Sequence, residues 1–171
     1  MTGVVVCGGT INDYDYMKRY FEGAGLIVTA DSGAHHCKNF SIIPDIMAGD
    51  FDSVNEDDFY RLASAGVEII RFPVEKDKTD SELAAEIAAE RGSDRIILMG
   101  AVGTRLDHSI STVFLLKKLL DRGIEGIIVD ERNEIRLIKS SIEIAREDRM
   151  YVTLLPLAGD AKGVSTRGLY Y

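Results

Sequence analysis

The 171-residue chain sets 20 lysines and arginines against 28 aspartates and glutamates, for a formal charge of −8, with 46% hydrophobic and 28% charged residues. That is the composition of a globular protein able to bury a real core, and its acidic sign argues against a nucleic-acid partner, which needs a basic face. No apolar stretch approaches the ~20 residues of a membrane span, the start lacks the basic region of a signal peptide, and Cys7 and Cys37 form no CxxC pair or zinc spacing, so a cytoplasmic protein is expected.

In chain order, residues 4–7 read as a first strand ending in Cys7, a small core residue. Residues 14–24 read as a helix, 26–30 as a second strand and 46–48 as a short third run. A helix is predicted over 56–65 behind Asn55 as N-cap, then a strand over 68–72, a helix over 80–91, a strand over 95–99, a helix over 107–122 and a strand over 126–130. These runs lack strict alternation, as strands buried on both faces do. In the helix 107–122, Ile110, Val113, Phe114, Lys117 and Leu120 trace a mostly apolar stripe, the pattern of an amphipathic helix. Gly92 and Gly123 stand where C-terminal caps belong. Repeated βα units imply an α/β fold, a three-layer, mainly parallel sheet with helices on both faces.

After Asp130 the character changes. Residues 134–139, 142–145, 150–156 and 163–166 read as short strands without intervening helices, with 132–133 and 146–148 as turns. The expected division is an α/β domain over 1–132 and a β-rich segment over 133–171.

Ligands of an open parallel sheet gather beyond the carboxyl ends of its strands, and five loops carry glycines or carboxylates there. They are Gly8-Gly9-Thr10, Asp31-Ser32-Gly33-Ala34, Gly49-Asp50-Phe51-Asp52-Ser53, the run Glu75-Lys76-Asp77-Lys78-Thr79-Asp80, and the loop from Gly100 through Gly103, Thr104, Arg105 and Leu106 to Asp107-His108. Asp50 and Asp52, two apart, point to one side of an extended backbone. Like charges that close repel unless a cation lies between them. Asp31, Asp80 and Asp107 reach the same edge from other loops, although Asp80 and Asp107 also stand at helix starts, where aspartates cap. An oxygen-only set without clustered His or Cys suits Mg²⁺ shared with substrate phosphates. The glycines let backbone approach an anion, but neither glycine loop is a P-loop or a GxGxxG. Arg105 offers a planar fork for phosphate oxygens, and Lys76 and Lys78 could neutralise a polyphosphate or simply be solvated. His108 packs or hydrogen-bonds beside Asp107.

Taken together, these loops resemble the thiamine pyrophosphokinase family. Asp31-Ser32-Gly33-Ala34 looks like its ADSGA element, and Gly49-Asp50-Phe51-Asp52-Ser53 matches its GDFDS. Asp77-Lys78-Thr79-Asp80 with Glu82 matches DxTDxE, and the run 103–108 resembles GGRxDH, with Thr104 in place of its second glycine. The resemblance implies a catalytic α/β domain followed by a β-sandwich, a homodimer, and thiamine held between the α/β domain of one subunit and the β domain of the other. It also implies ATP and Mg²⁺ over an acidic site of Asp31, Asp50, Asp52, Asp80 and Asp107. Gly8, Gly9, Ser32, Lys76, Asp77, Lys78, Thr79, Gly103, Thr104, Arg105 and His108 would then line the nucleotide. The implied reaction moves a diphosphate from ATP to the thiamine hydroxyl and releases AMP. Three alternatives stay open: a related diphosphokinase acting on a pterin-like alcohol, a non-catalytic nucleotide- or thiamine-diphosphate-binding module, and a sugar-nucleotide transferase using Asp50-Phe51-Asp52 as a DxD motif. The DKTD and TRLDH loops count against the last. The family's pattern runs on past Tyr170, so the sandwich is expected to be incomplete here.

Overall fold

In the computed structural model, which describes residues 1–75, 77–103, 105–146, 150–157 and 159–170, the apolar runs form a twisted sheet. Among the described residues its seven strands lie in the order β4-β3-β2-β1-β5-β6-β7. They are β1 Thr2–Val6, β2 Leu26–Ala30, β3 Ile46–Gly49, β4 Glu68–Arg71, β5 Arg95–Met99, β6 Glu125–Val129 and β7 Glu134–Arg136. β1 to β6 are parallel, and β7 returns antiparallel on β6 with Ile135 opposite Ile128. This is the α/β sheet that the alternation of elements implied. The chain builds outward from β1 to β4, then crosses back to lay β5 on the other side of β1. The order therefore reverses between β1 and β5, and a crevice opens beyond their carboxyl ends.

Successive strand residues serve opposite faces. Val5 and Cys7 pack with Ala84, Ala85 and Ala88 of α4 (Asp80–Glu90), in a cluster that includes Leu115, Leu116 and Leu119 of α5 (Leu106–Asp121). Each of those leucines contributes about 1.5–3 kcal/mol by leaving water. Val4 and Val6 face the other way, clustering with Met17 of α1 (Tyr14–Met17) and with Cys37 and Phe40 of α2 (Ala34–Phe40). On that side Leu62 of α3 (Glu56–Ser64) joins Met47 of β3 and Ala34. Asn55 caps α3 by accepting from the Asp57 amide at 2.9 Å.

Several elements differ from the sequence reading. The helix expected over 14–24 is four residues of α-helix followed by a 3-10 turn, Lys18–Phe21. Tyr14, Met17 and Tyr20, three apart, all reach the core there, and a spacing of three fits the tighter winding. α2 lies where no helix was predicted, since its seven residues are too few to display a period. In α5 the buried line is Thr112, Leu115, Leu116 and Leu119, whereas Ile110 and Phe114 are 48% and 53% exposed. The helix is apolar on more than one side, and Gly126 selects between them. A Cβ at Gly126 would lie 2.8 Å from Leu116 and 2.9 Å from Leu119, so its absence lets those leucines seat on β6.

The chain divides into two units, Met1–Lys139 and Ser140–Tyr171. β7 lies past residue 132 yet belongs to the first unit, because it hydrogen-bonds to β6. In the second unit the strands expected over 142–145, 150–156 and 163–166 do not form among the described residues. Apolar content alone suggested them, and a strand also needs a partner for its ladder. Of the turn expected at 146–148, residues 147 and 148 lie outside the described residues.

Candidate active site

β2 runs straight into a 3-10 turn, Asp31–Gly33. Asp31 takes the left-handed conformation, with φ 43°. Its Oδ1 accepts from the Phe51 amide at 3.1 Å, which ties the loop after β3 to the loop after β2. Gly49 permits the approach, since a Cβ there would come 3.1 Å from that of Asp31. Phe51 is also left-handed, at φ 67°. Two non-glycine residues in this region cost on the order of 1–3 kcal/mol each and persist only where their surroundings hold them. Within the loop the Asp52 amide donates to Asp50 Oδ1 at 3.2 Å, and the Ser53 hydroxyl donates to Asp52 Oδ1 at 2.7 Å. The outcome is a group in which one carboxylate oxygen from each of Asp31, Asp50 and Asp52 lies within 4.8 Å of the others.

Burial pushes the Asp31 carboxyl above its ordinary range, and the charges of Asp80, Asp50 and Asp52 push it the same way, against a hydrogen bond from Ser32. The group thus concentrates negative charge around a buried member. Oxygens bound to one Mg²⁺ at ~2.1 Å lie no more than about 4.2 Å apart, so a slight closure of this group would let all three hold the ion, and their hard-oxygen chemistry fits it.

Asp80 begins α4 close enough for its charge to act on Asp31. It is not the cap: Thr79 Oγ accepts from the Glu82 amide at 3.2 Å. Glu82 is buried and pairs with Lys118 of α5 at 2.5 Å. Among the described residues Asp107 stands outside the three-carboxylate group. Arg105 donates to it through Nη2 at 2.5 Å and Nε at 3.2 Å, holding its carboxyl below the usual range. His108 Nε2 is 4.0 Å from the same carboxylate. Lys78 pairs with Glu86 of α4 at 2.7 Å, and Asp77 lies exposed on the loop. Lys76 and Thr104 lie outside the described residues.

The two glycine loops meet each other. The Gly9 amide donates to Gly100 O at 2.7 Å and the Thr10 amide to Val102 O at 3.2 Å. Gly8 lies against Ser32, whose Oγ would be 1.9 Å from a Cβ at that position. The Gly103 amide donates to Ser109 Oγ at 3.3 Å. Gly9 and Gly100 bring backbone to backbone, and the Gly9 and Thr10 amides are committed to protein carbonyls.

Sequence reasoning passed over His36, which is 2% exposed. Its Nε2–H donates to Gly9 O at 2.7 Å, and Nδ1 accepts from the Tyr14 hydroxyl at 2.7 Å. That hydroxyl accepts from Asn39 Nδ2 at 2.8 Å. The chain Asn39–Tyr14–His36 thus secures the first glycine loop, and its partners are too far apart in sequence for any local motif to reveal it. Glu131 was missed too. Its carboxylate accepts from the amides of Asn12 and of Asp13, beside a polar cleft of about 610 Å³ lined by residues 12–13 and 130–133.

Burial pushes the His36 imidazole down from 6.5 to about 4. Between those values the unfolded chain holds a proton that the folded one does not, so stability falls as pH drops, by about 1.4 kcal/mol per unit. Asp31, with its raised pKa, works in the opposite sense, so the comparison must be made against a variant. From pH 7 to pH 5 the protein is expected to lose about 2 kcal/mol more than His36→Gln does, read by urea unfolding. Equal losses would show that His36 is not the titrating group.

The family described as thiamin pyrophosphokinase, catalytic domain, matches residues 17–128, more than half of the chain. A thiamine pyrophosphokinase of Bacillus subtilis is 29% identical over 169 residues, which cover 98% of this chain and 79% of that protein. The solved thiamine pyrophosphokinase of Bacillus subtilis superposes with a TM-score of 0.69 at 31% identity, over 78% of this chain and 63% of that one. That of Geobacillus thermodenitrificans gives 0.64 at 36% identity, over 78% and 61%. The part matched is therefore less than two thirds of the solved relatives' length, and residues 17–128 of the family match include Asp31, Asp50, Asp52, Asp80 and Asp107. The chain belongs to the thiamin pyrophosphokinase family and carries its catalytic domain.

Proposed function

We propose that this protein binds Mg²⁺ and ATP at its carboxylate edge and transfers a diphosphate to the hydroxyl of thiamine, releasing AMP. The observation that carries the reading is the convergence of Asp31, Asp50 and Asp52 beyond the carboxyl ends of parallel strands, in a chain of this family. Those three residues hold the cation, with Asp80 beside them as a further or water-mediated partner. Once bound, Mg²⁺ neutralises charge on the phosphoryl oxygens. Arg105 and Asp107, already an ion pair, exchange partners in this reading, Arg105 taking phosphate oxygens through its fork and Asp107 turning to the cation.

Transfers of this kind ask mainly for positioning and charge neutralisation. The thiamine hydroxyl oxygen bonds to the β-phosphorus while the bond from that phosphorus to the AMP oxygen breaks. Asp80 orients the hydroxyl and accepts its proton. Thiamine is a cation, and a chain of charge −8 favours its approach. The working unit in this reading is a cytoplasmic homodimer with thiamine between subunits. Leu106, Ile110 and Phe114, which share a face of α5 and are 71%, 48% and 53% exposed, offer apolar surface for such a contact. Among the described residues no helix is long and apolar enough to cross a membrane.

The test is product identity. With ATP, Mg²⁺ and thiamine, AMP and thiamine diphosphate are expected in equal amounts. Formation of ADP, or of AMP only with a pterin-like alcohol, would overturn the assignment.

A further inference from the structure

Arg71, the last residue of β4, reaches into the metal-binding loop from the neighbouring strand. Its Nη1 donates to the Asp50 carbonyl at 2.9 Å, and its Cζ lies 4.7 Å from the centre of the Phe51 ring, within the range of a cation–π contact. The Phe51 ring also packs on Phe59 of α3, with 5.3 Å between centroids. The Asp50 carbonyl and the Phe51 amide belong to one peptide plane. Arg71 holds its oxygen, and Asp31 Oδ1 holds its N–H at 3.1 Å. Rotation of that plane is the movement that would return Phe51 from φ 67° to the right-handed region. The same rotation would turn the Phe51 amide away from Asp31 Oδ1 and so undo the hydrogen bond that ties the loop of Asp50 and Asp52 to Asp31.

We propose that Arg71 is a positioning residue for the metal-binding carboxylates. By gripping both the 50–51 peptide and the Phe51 ring, it keeps Asp50 and Asp52 turned toward Asp31. This rests on the reading of Asp31, Asp50 and Asp52 as cation ligands. A cavity of about 150 Å³ bordered by Phe51, Val54, Glu56, Phe59, Tyr60 and Arg71 gives the ring room to move once the guanidinium is gone.

The sign of one measurement separates bracing from mere proximity. Arg71 brings positive charge near a cation site, so on charge alone its removal would tighten metal binding. Loss of a brace loosens it. Mn²⁺, without nucleotide, is titrated calorimetrically into the wild type and into Asp52→Asn, Arg71→Ala, Arg71→Lys and Phe51→Leu. Arg71→Ala is expected to weaken binding roughly tenfold, the scale of losing a residue that orients a ligand. Phe51→Leu, which changes no charge, should also weaken it, and Arg71→Lys should fall between Arg71→Ala and the wild type. Should Arg71→Ala not fold, Phe51→Leu carries the same test. Mn²⁺ binding as tight as wild type, or tighter, in Arg71→Ala and Phe51→Leu overturns the role of Arg71 and leaves the metal site standing. Equal Mn²⁺ binding by the wild type and Asp52→Asn overturns the metal site and the proposal together.

Discussion

Asp50→Asn or Asp52→Asn is expected to lower turnover roughly 10³-fold, the several kcal/mol that a bound cation contributes to a phosphoryl-type transition state. The same variants should melt at or above the wild-type temperature. Each removes one charge from a group whose repulsion adds to burial in raising Asp31. Each also keeps an acceptor oxygen in place. At position 50 it still receives the Asp52 amide, and at position 52 it still receives the Ser53 hydroxyl. The two readouts should therefore move apart, activity down and stability level or up. Near-wild-type turnover at saturating Mg²⁺ would remove these residues from the cation site. A large drop in melting temperature would mean the carboxylates hold the loop by their charge.

The carboxylates were legible because their chemistry is local. A glycine followed by Asp-x-Asp at a strand end announces itself in four consecutive residues, and the strands that aim it are apolar runs of ordinary length. The clamps around it were not legible. His36 and Gly9 are 27 residues apart, and Arg71 and Asp50 are 21 apart; only the sheet order brings them together. The apolar line of α5 failed for another reason. The helix has leucine, isoleucine or phenylalanine on several sides, and the choice belongs to Gly126 on the facing strand. Strand assignments in residues 140–171 lacked the long-range half of the signal, because an apolar run states what a segment could bury and not what it pairs with. The glycine loops were read as places where backbone can approach an anion. The neighbour that approaches Gly9 is the other glycine loop, a pairing no single segment could disclose.

Gly9→Ala is expected to cost about 3 kcal/mol, the upper range for forcing a methyl into a packed site, which for a chain of this size lowers the melting temperature by roughly 6–12 °C. The added Cβ would stand 2.3 Å from Gly100 O and 2.7 Å from Val102 O. Both obstacles are backbone carbonyls, so no side chain can turn aside. Neither loop can retreat easily. The Gly9 and Thr10 amides are bonded to those same two oxygens, and the Cys7 amide is held by Met99 O at 2.8 Å. Gly100 is itself fixed at φ 60° over Cys7 O. The strain must therefore open the seam between β1 and β5, which is the crevice where the strand order reverses, and turnover should fall at least tenfold with it. Gly66→Ala is the control. Gly66 has φ 81° with nothing within 4 Å of a new Cβ, so it loses only the left-handed freedom of glycine, about 1 kcal/mol. Thermal melts of the two variants side by side isolate the contact from the backbone term. Gly9→Ala melting within a degree or two of Gly66→Ala would show that the seam yields without cost, and that the two glycine loops do not set the width of the crevice.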